Sequence, residues 1–230
     1  MLARRVQDGR WRQQEKDHVV VCGYGTKGRN AIRALLERGR RPEEILVVDQ
    51  DVNAVTDATA AGFFAVHGST TSDEVLREAV VDKASTVIVA VNRDDTAALT
   101  KLTVRQLARN VTVVAAIREQ ENADLVRQSG ADTVITSSDA AGRLLGLATD
   151  SPRTVHVIED LMTAGHGLDI AERSVTPEED GLALQALGVP VLAVVRQGKL
   201  LHYNEPEVAA VRAGDVLVFV ASLDAATDRS

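Results

Sequence analysis

Three glycines, Gly23, Gly25 and Gly28, stand in the spacing G-x-G-x-x-G, and a carboxylate, Asp49, follows about 20 residues later. Each residue type has a physical task. Gly23 allows a sharp turn out of the preceding apolar run, Gly25 removes a side chain where a pyrophosphate would approach the backbone, and Gly28 lets a helix pack closely on its neighbour. The unpaired N–H groups and the positive dipole end of a helix starting here would face phosphates. Asp49 can accept hydrogen bonds from ribose hydroxyls and would repel a 2′-phosphate, which favours NAD-like ligands over NADP. A glycine turn kept for packing alone is the competing reading.

Other chemistry is thin. His18, His67, His156, His166 and His202 show no metal-ligand spacing, and no G-x-S-x-G elbow occurs. Glu178, Glu179 and Asp180 form an acidic cluster beside a turn; it reads as a solvated face or as hard oxygen ligands for a divalent cation, to which Asp169 and Glu172 could belong. A dehydrogenase needs an acid–base group beside its nicotinamide. The C-terminal part offers no such constellation, which counts against an enzyme; an NAD-dependent oxidoreductase remains the rival class. Cys22 is the single cysteine and sits in an apolar run, so it reads as a small buried hydrophobe without an intrachain disulfide. The net charge of -7 disfavours nucleic-acid binding. No apolar run approaches the roughly 18 residues of a membrane span, and no signal-peptide pattern opens the sequence.

The elements that position the glycine turn follow from alternation of apolar runs and helical patterns. Strands are expected at 18–22, 45–48, 63–66, 86–91, 111–117 and 133–136. Helices are expected at 29–38, 52–61, 73–80 (capped by Ser72), 94–109 and 119–129, the last stopped by Gly130. Short, continuously apolar strands alternating with helices specify a Rossmann-like, doubly wound parallel sheet of the α/β class. Ligands of such sheets bind at the carboxyl ends of the strands near the switch point. Gly23 to Gly28, Asp49, Gly68 to Thr71, and Ala90, Val91 and Asn92 all fall at such ends.

After the last strand, Ser138 can cap a helix over 138–149 whose Ala141, Leu144, Leu145 and Ala148 form one apolar stripe. With no further strand to cross to, this stripe favours a subunit contact over packing within the chain. Ser151-Pro152 breaks the run. The remainder, 151–223, reads as a small α+β domain: a helix at 155–162, strands at 168–175, 189–196, 199–203 and 216–221, and a short helix at 182–187 stopped by Gly188. The first domain thus spans 18–150. A basic leader, 1–17, precedes it, and a polar tail, 224–230, ends the sequence.

The order Val-Val-Cys-Gly-Tyr-Gly-Thr-Lys-Gly, then Val-Val-Asp-Gln-Asp, then His-Gly-Ser-Thr-Thr-Ser-Asp-Glu-Val-Leu-Arg-Glu-Ala resembles the RCK/KTN family, the TrkA-N plus TrkA-C regulators of potassium channels and of Trk/Ktr-type transporters. Residues 87–95, Ser129-Gly130-Ala131-Asp132 and the module from 155 to 221 continue the likeness. The resemblance implies a non-enzymatic, ligand-gated sensor that dimerises and assembles into an octameric ring. Its partner is a potassium-channel pore or a transporter's membrane subunit, at the cytoplasmic face of the cell membrane. It further implies an adenine nucleotide (NAD(H), ATP, ADP or AMP) held by Gly23, Tyr24, Gly25, Thr26, Lys27, Gly28, Asp49, Gln50, Asp51, Ser69, Thr70 and Thr71. Two departures stand out: Gly68-Ser69-Thr70-Thr71 replaces the usual Gly-Asp-Ala-Thr, and Thr26 stands where several nucleotide-gated members carry Arg, with Lys27 next. The basic leader resembles the linker after a channel's inner helix, which favours a channel over a free-standing transporter subunit.

Overall fold

The computed structural model describes residues 17–128, 131–163 and 168–222. Residues 1–16 of the basic leader, His166, the Ser129-Gly130 pair and the tail lie outside the described residues. The chain divides into two compact units at Asp150/Ser151.

The first unit runs β1 (Val19–Cys22), α1 (Thr26–Glu37), β2 (Ile45–Asp49), α2 (Val52–Ala60), β3 (Phe64–His67), α3 (Asp73–Glu78), β4 (Thr86–Val89), α4 (Asp94–Leu107), β5 (Thr112–Ile117), α5 (Ala123–Gln128), β6 (Thr133–Thr136) and α6 (Ser137–Asp150). Its six strands are parallel in the order β3-β2-β1-β4-β5-β6. The strand order reverses between β1 and β4, which is the switch point of a doubly wound sheet. The apolar runs are continuous because each strand feeds two cores with its period of two. Val20, Cys22, Leu46 and Val48 enter one core, with Val87, Val89 and Val113. Val19, Val21, Ile45 and Val47 enter the other, with Ile32, Ala58 and Phe63.

Local chemistry sets several element ends. Helix α1 starts at Thr26, three residues before the apolar pattern suggests, because the glycine turn feeds straight into it with Gly25 at the N-cap. Ser72 caps α3 as expected, accepting from the Val75 amide at 3.5 Å. The helix expected from 119 opens instead as a 3₁₀ turn, Gln120–Asn122, before α5. Asp94 explains the change: its carboxylate accepts from the Arg118 and Glu119 amides and from Asn122 Nδ2, at 2.7, 3.0 and 2.8 Å. Ser138 does not cap α6. The helix already begins at Ser137, whose hydroxyl donates to the Ile117 carbonyl at 3.0 Å. No described side chain of α6 is fully buried: Leu145 is 73% exposed and Leu144 and Ala148 are half-buried, so its apolar stripe is only partly covered in the single chain.

The second unit comprises α7 (Pro152–Met162), β7 (Leu168–Ser174), β8 (Val191–Arg196), β9 (Lys199–His202) and β10 (Val216–Ser222). Its strands form an antiparallel sheet in the order β7-β10-β8-β9. The short helix expected at 182–187 is a 3₁₀ turn, Leu184–Leu187, ended by Gly188 in the left-handed region at φ 69°. Val194, Leu201, Val208, Val211 and Leu217 form the core. At its edge Asp215 is 2% exposed and fork-paired with Arg196, which also donates to the Glu207 and Ala210 carbonyls.

Candidate functional site

The carboxyl ends of β1, β2 and β4 open into a cleft of about 550 Å³, part of it open to solvent. It is lined by Gly23, Gly25, Asp49, Gln50, Thr70, Ala90, Val91, Asn92, Arg93 and Thr96.

The three glycines differ in what they answer to. Gly23 has φ +101°, and a Cβ there would come within 3.0 Å of the Ala90 carbonyl oxygen. A Cβ on Gly28 would lie 1.9 Å from the Gly23 carbonyl oxygen, so α1 could not pack where it does. Gly25 is under no such constraint: its φ is −76°. A Cβ there would meet only Asn92 Oδ1, at an ordinary 3.8 Å. The fold requires glycine at 23 and 28 and leaves 25 free, although 25 lines the cleft at the start of α1. No side chain caps that helix start and no acid occupies its first turn, so no residue of the helix itself offsets its positive dipole end.

Asp49 locks the turn to the second strand. Its Oδ2 accepts from the Tyr24 amide at 2.6 Å and its Oδ1 from the Asp51 amide at 2.9 Å. Each oxygen keeps a lone pair for a further donor. Gln50 lines the cleft beside it.

Several residues expected at the site already hold partners within the protein. Tyr24 is 7% exposed, packs edge-on to Phe63 at 6.2 Å and lies under the Arg29 guanidinium at 4.8 Å, so it belongs to the core. Thr26 is exposed at the first position of α1. Lys27 reaches across to the Val91 carbonyl at 2.8 Å; burial pulls its pKa below the usual ammonium range, against the attraction of Asp94. Asp51 is the N-cap of α2, accepting from the Asn53 amide at 2.8 Å. On the third-strand turn, a Cβ at Gly68 would strike Val75 at 2.5 Å, and Ser69 and Thr71 bond one another at 2.8 Å. Of that turn only Thr70 lines the cleft, its hydroxyl paired with that of Thr100 at 2.7 Å. Sequence reasoning missed Arg93 and Thr96. The available signal was their position, on and just past the turn after β4, continuing from Ala90-Val91-Asn92.

Cys22 is fully buried under the turn; burial, with Asp49 adding to it, pushes its thiol up to about 12, so it is an inert hydrophobe at neutral pH. The acidic cluster of the second unit is spent on structure. Glu179 is fork-paired with Arg173 at 2.6 and 2.7 Å, and that guanidinium holds its carboxyl down at about 2. Asp180 accepts from the Ala213 amide at 2.9 Å. Among the described residues no group of three or more His, Cys, Asp or Glu could hold a metal ion. None of the described helices is long and apolar enough to cross a membrane.

Residues 19–137 match the model of the TrkA-N domain. Potassium channel protein 1 of Methanocaldococcus jannaschii is 22% identical over 210 residues, covering 87% of this chain and 62% of that protein. The chain therefore spans about three-fifths of that relative's length. Among solved structures, GsuK bound to ADP is 28% identical with a TM-score of 0.54, over 60% of this chain and 36% of its own. The GsuK channel bound to NAD is 23% identical, also at 0.54, over 91% of this chain and 38% of its own. The human SLO3 gating ring shares 14% identity but a TM-score of 0.67, over 93% of this chain and 46% of its own, a likeness of fold.

Proposed function

This chain belongs to the TrkA-N domain family, and from that membership we propose that it is a ligand-sensing regulatory subunit of potassium transport, gated by an adenine nucleotide bound over Gly25. The observation that carries the reading is Gly25 itself. The fold has no need of glycine there, yet the position opens the cleft onto an uncapped helix start, where a pyrophosphate would accept the free N–H groups. Asp49, tied to the same turn, would take the ribose hydroxyls through its remaining lone pairs. GsuK, which the chain resembles, has been solved with ADP and with NAD.

The membrane partner in this reading is a potassium-channel pore, in keeping with the channel relative; a Trk/Ktr-type transporter subunit is the alternative. The partly exposed stripe on α6, with Leu144 and Leu145, would join copies into dimers and then a ring. A nucleotide shifts such a ring only by its differential affinity for two states. Moving the balance from 1:99 to 99:1 takes about 5.5 kcal/mol, which eight sites would share at under ~1 kcal/mol each. Turnover of a bound dinucleotide is a weaker reading. The cleft's ionisable lining residues are Asp49 and Arg93, neither placed as a proton shuttle.

Gly25→Val tests the assignment. A Cβ fits the backbone and the local space there, so the melting temperature should hold while calorimetry shows ADP and NAD affinity falling more than about tenfold. Unchanged affinity would refute the assigned position. Oxidation of NADH with a carbonyl panel would revive the oxidoreductase class, and a ring that survives Leu144→Asp with Leu145→Asp on a sizing column would remove α6 from the interface.

A further inference from the structure

We propose that Arg93 sets the charge this cleft accepts, making it selective for a ligand with a diphosphate over the same nucleoside without one. The inference rests on the nucleotide reading above and concerns a residue outside the glycine turn. Two formal charges line the cleft, Asp49 and Arg93. Asp49 is negative, so an opposing cation at the cleft beside the helix start favours a phosphate-bearing ligand. Two cations of α1, Lys27 and Arg29, already hold partners. Lys27 donates to the Val91 carbonyl at 2.8 Å. Arg29 covers the Tyr24 ring, donates to the Tyr24 carbonyl at 3.0 Å and pairs with Asp57 at 3.0 Å.

Arg93 stands at the N-cap of α4. Its guanidinium is fork-paired with Asp95, Nε to Oδ1 at 3.0 Å and Nη2 to Oδ2 at 2.5 Å. The planar fork that fits a carboxylate in this way also fits two phosphate oxygens. The present pairing is weakly held, because the two side chains are 76% and 59% exposed and water screens them. Asp95 would not be stranded by an exchange of partners, since its Oδ1 also accepts from the Thr96 amide at 2.6 Å. Asp95 thus acts as a stand-in anion that an arriving diphosphate displaces, and it lowers the affinity of the cleft by competing for the same guanidinium.

The full chain is titrated by calorimetry with ADP, AMP and adenosine. Arg93→Gln should weaken ADP binding about tenfold and leave adenosine unchanged. Asp95→Asn keeps an acceptor for the Thr96 amide and frees the guanidinium, so ADP binding should tighten several-fold. Added NaCl should weaken ADP binding more steeply in the wild type than in Arg93→Gln. Equal ADP affinity in wild type and Arg93→Gln, or ADP and adenosine weakening together, overturns the inference while leaving the nucleotide reading intact. A wild-type chain that binds none of the three ligands overturns that reading and this inference with it.

Discussion

Asp49→Ala should destabilise the chain in the absence of any ligand, because the carboxylate holds the glycine turn as well as facing the cleft. Two amides lose their acceptor. The Tyr24 amide lies 2.6 Å from Oδ2 on a residue 7% exposed, where a hydrogen bond to a charged group contributes about 1.5–3 kcal/mol. The Asp51 amide, at 2.9 Å, is exposed, so water replaces the acceptor and the loss is only ~0.5 kcal/mol. The sum is about 2–3.5 kcal/mol, a large part of a typical domain's 5–15 kcal/mol. Asp49→Asn keeps one acceptor oxygen but turns an NH₂ toward the other amide, so it should lose about half as much. The assay is urea unfolding followed by circular dichroism without nucleotide. At an ordinary slope the Asp49→Ala midpoint should fall by roughly 1 M with the slope unchanged. A midpoint within error of wild type would show that the turn holds itself, and the carboxylate would then matter to the ligand alone.

Other consequences concern buried charge. Asp215→Ala leaves Arg196, 13% exposed, without its carboxylate, and should cost about 3–5 kcal/mol in chemical unfolding. Arg196 holds the Asp215 carboxyl below its ordinary 3.8. Its stabilisation is therefore full above that value and is lost as pH falls through the depressed one, and the acid-side decline should be shallower in the variant. Lys101 is fully buried in α4 and donates to the Val126 carbonyl. Burial, with Arg105 adding to it, brings its pKa from 10.5 down to about 8. The unfolded chain binds the extra proton between those values, so stability from this group rises with pH across the window and is flat below it. Between pH 7.5 and 9.5 the rise should be about 2 kcal/mol relative to Lys101→Met, a comparison in which the opposite contribution of Cys22 cancels. Parallel stability–pH curves for the two proteins would show that the amine is not buried as described.

The sequence by itself determined the strand order's ingredients and the place of the cleft. Continuous apolar runs such as 45–48 and 87–91 require two covered faces, and turns rich in glycine mark strand ends, so a doubly wound sheet with a ligand cleft at its carboxyl edge follows from local pattern alone. Gly23 and Gly28 were legible for the same reason, since both answer to backbone geometry within a few residues. What tertiary structure decided was direction. Tyr24, Lys27 and Asp51 sit within or beside the motif, yet a core ring, a carbonyl across the switch point and a helix cap claim them. Arg93 and Thr96 reach the cleft only because β4 lies beside β1, and Glu179 leaves the acidic cluster because Arg173, on the neighbouring strand β7, faces it. Hydrophobic period and turn chemistry are written in neighbouring residues. The partner a polar side chain chooses depends on what the fold brings opposite it from far along the chain, and that distance leaves no local trace.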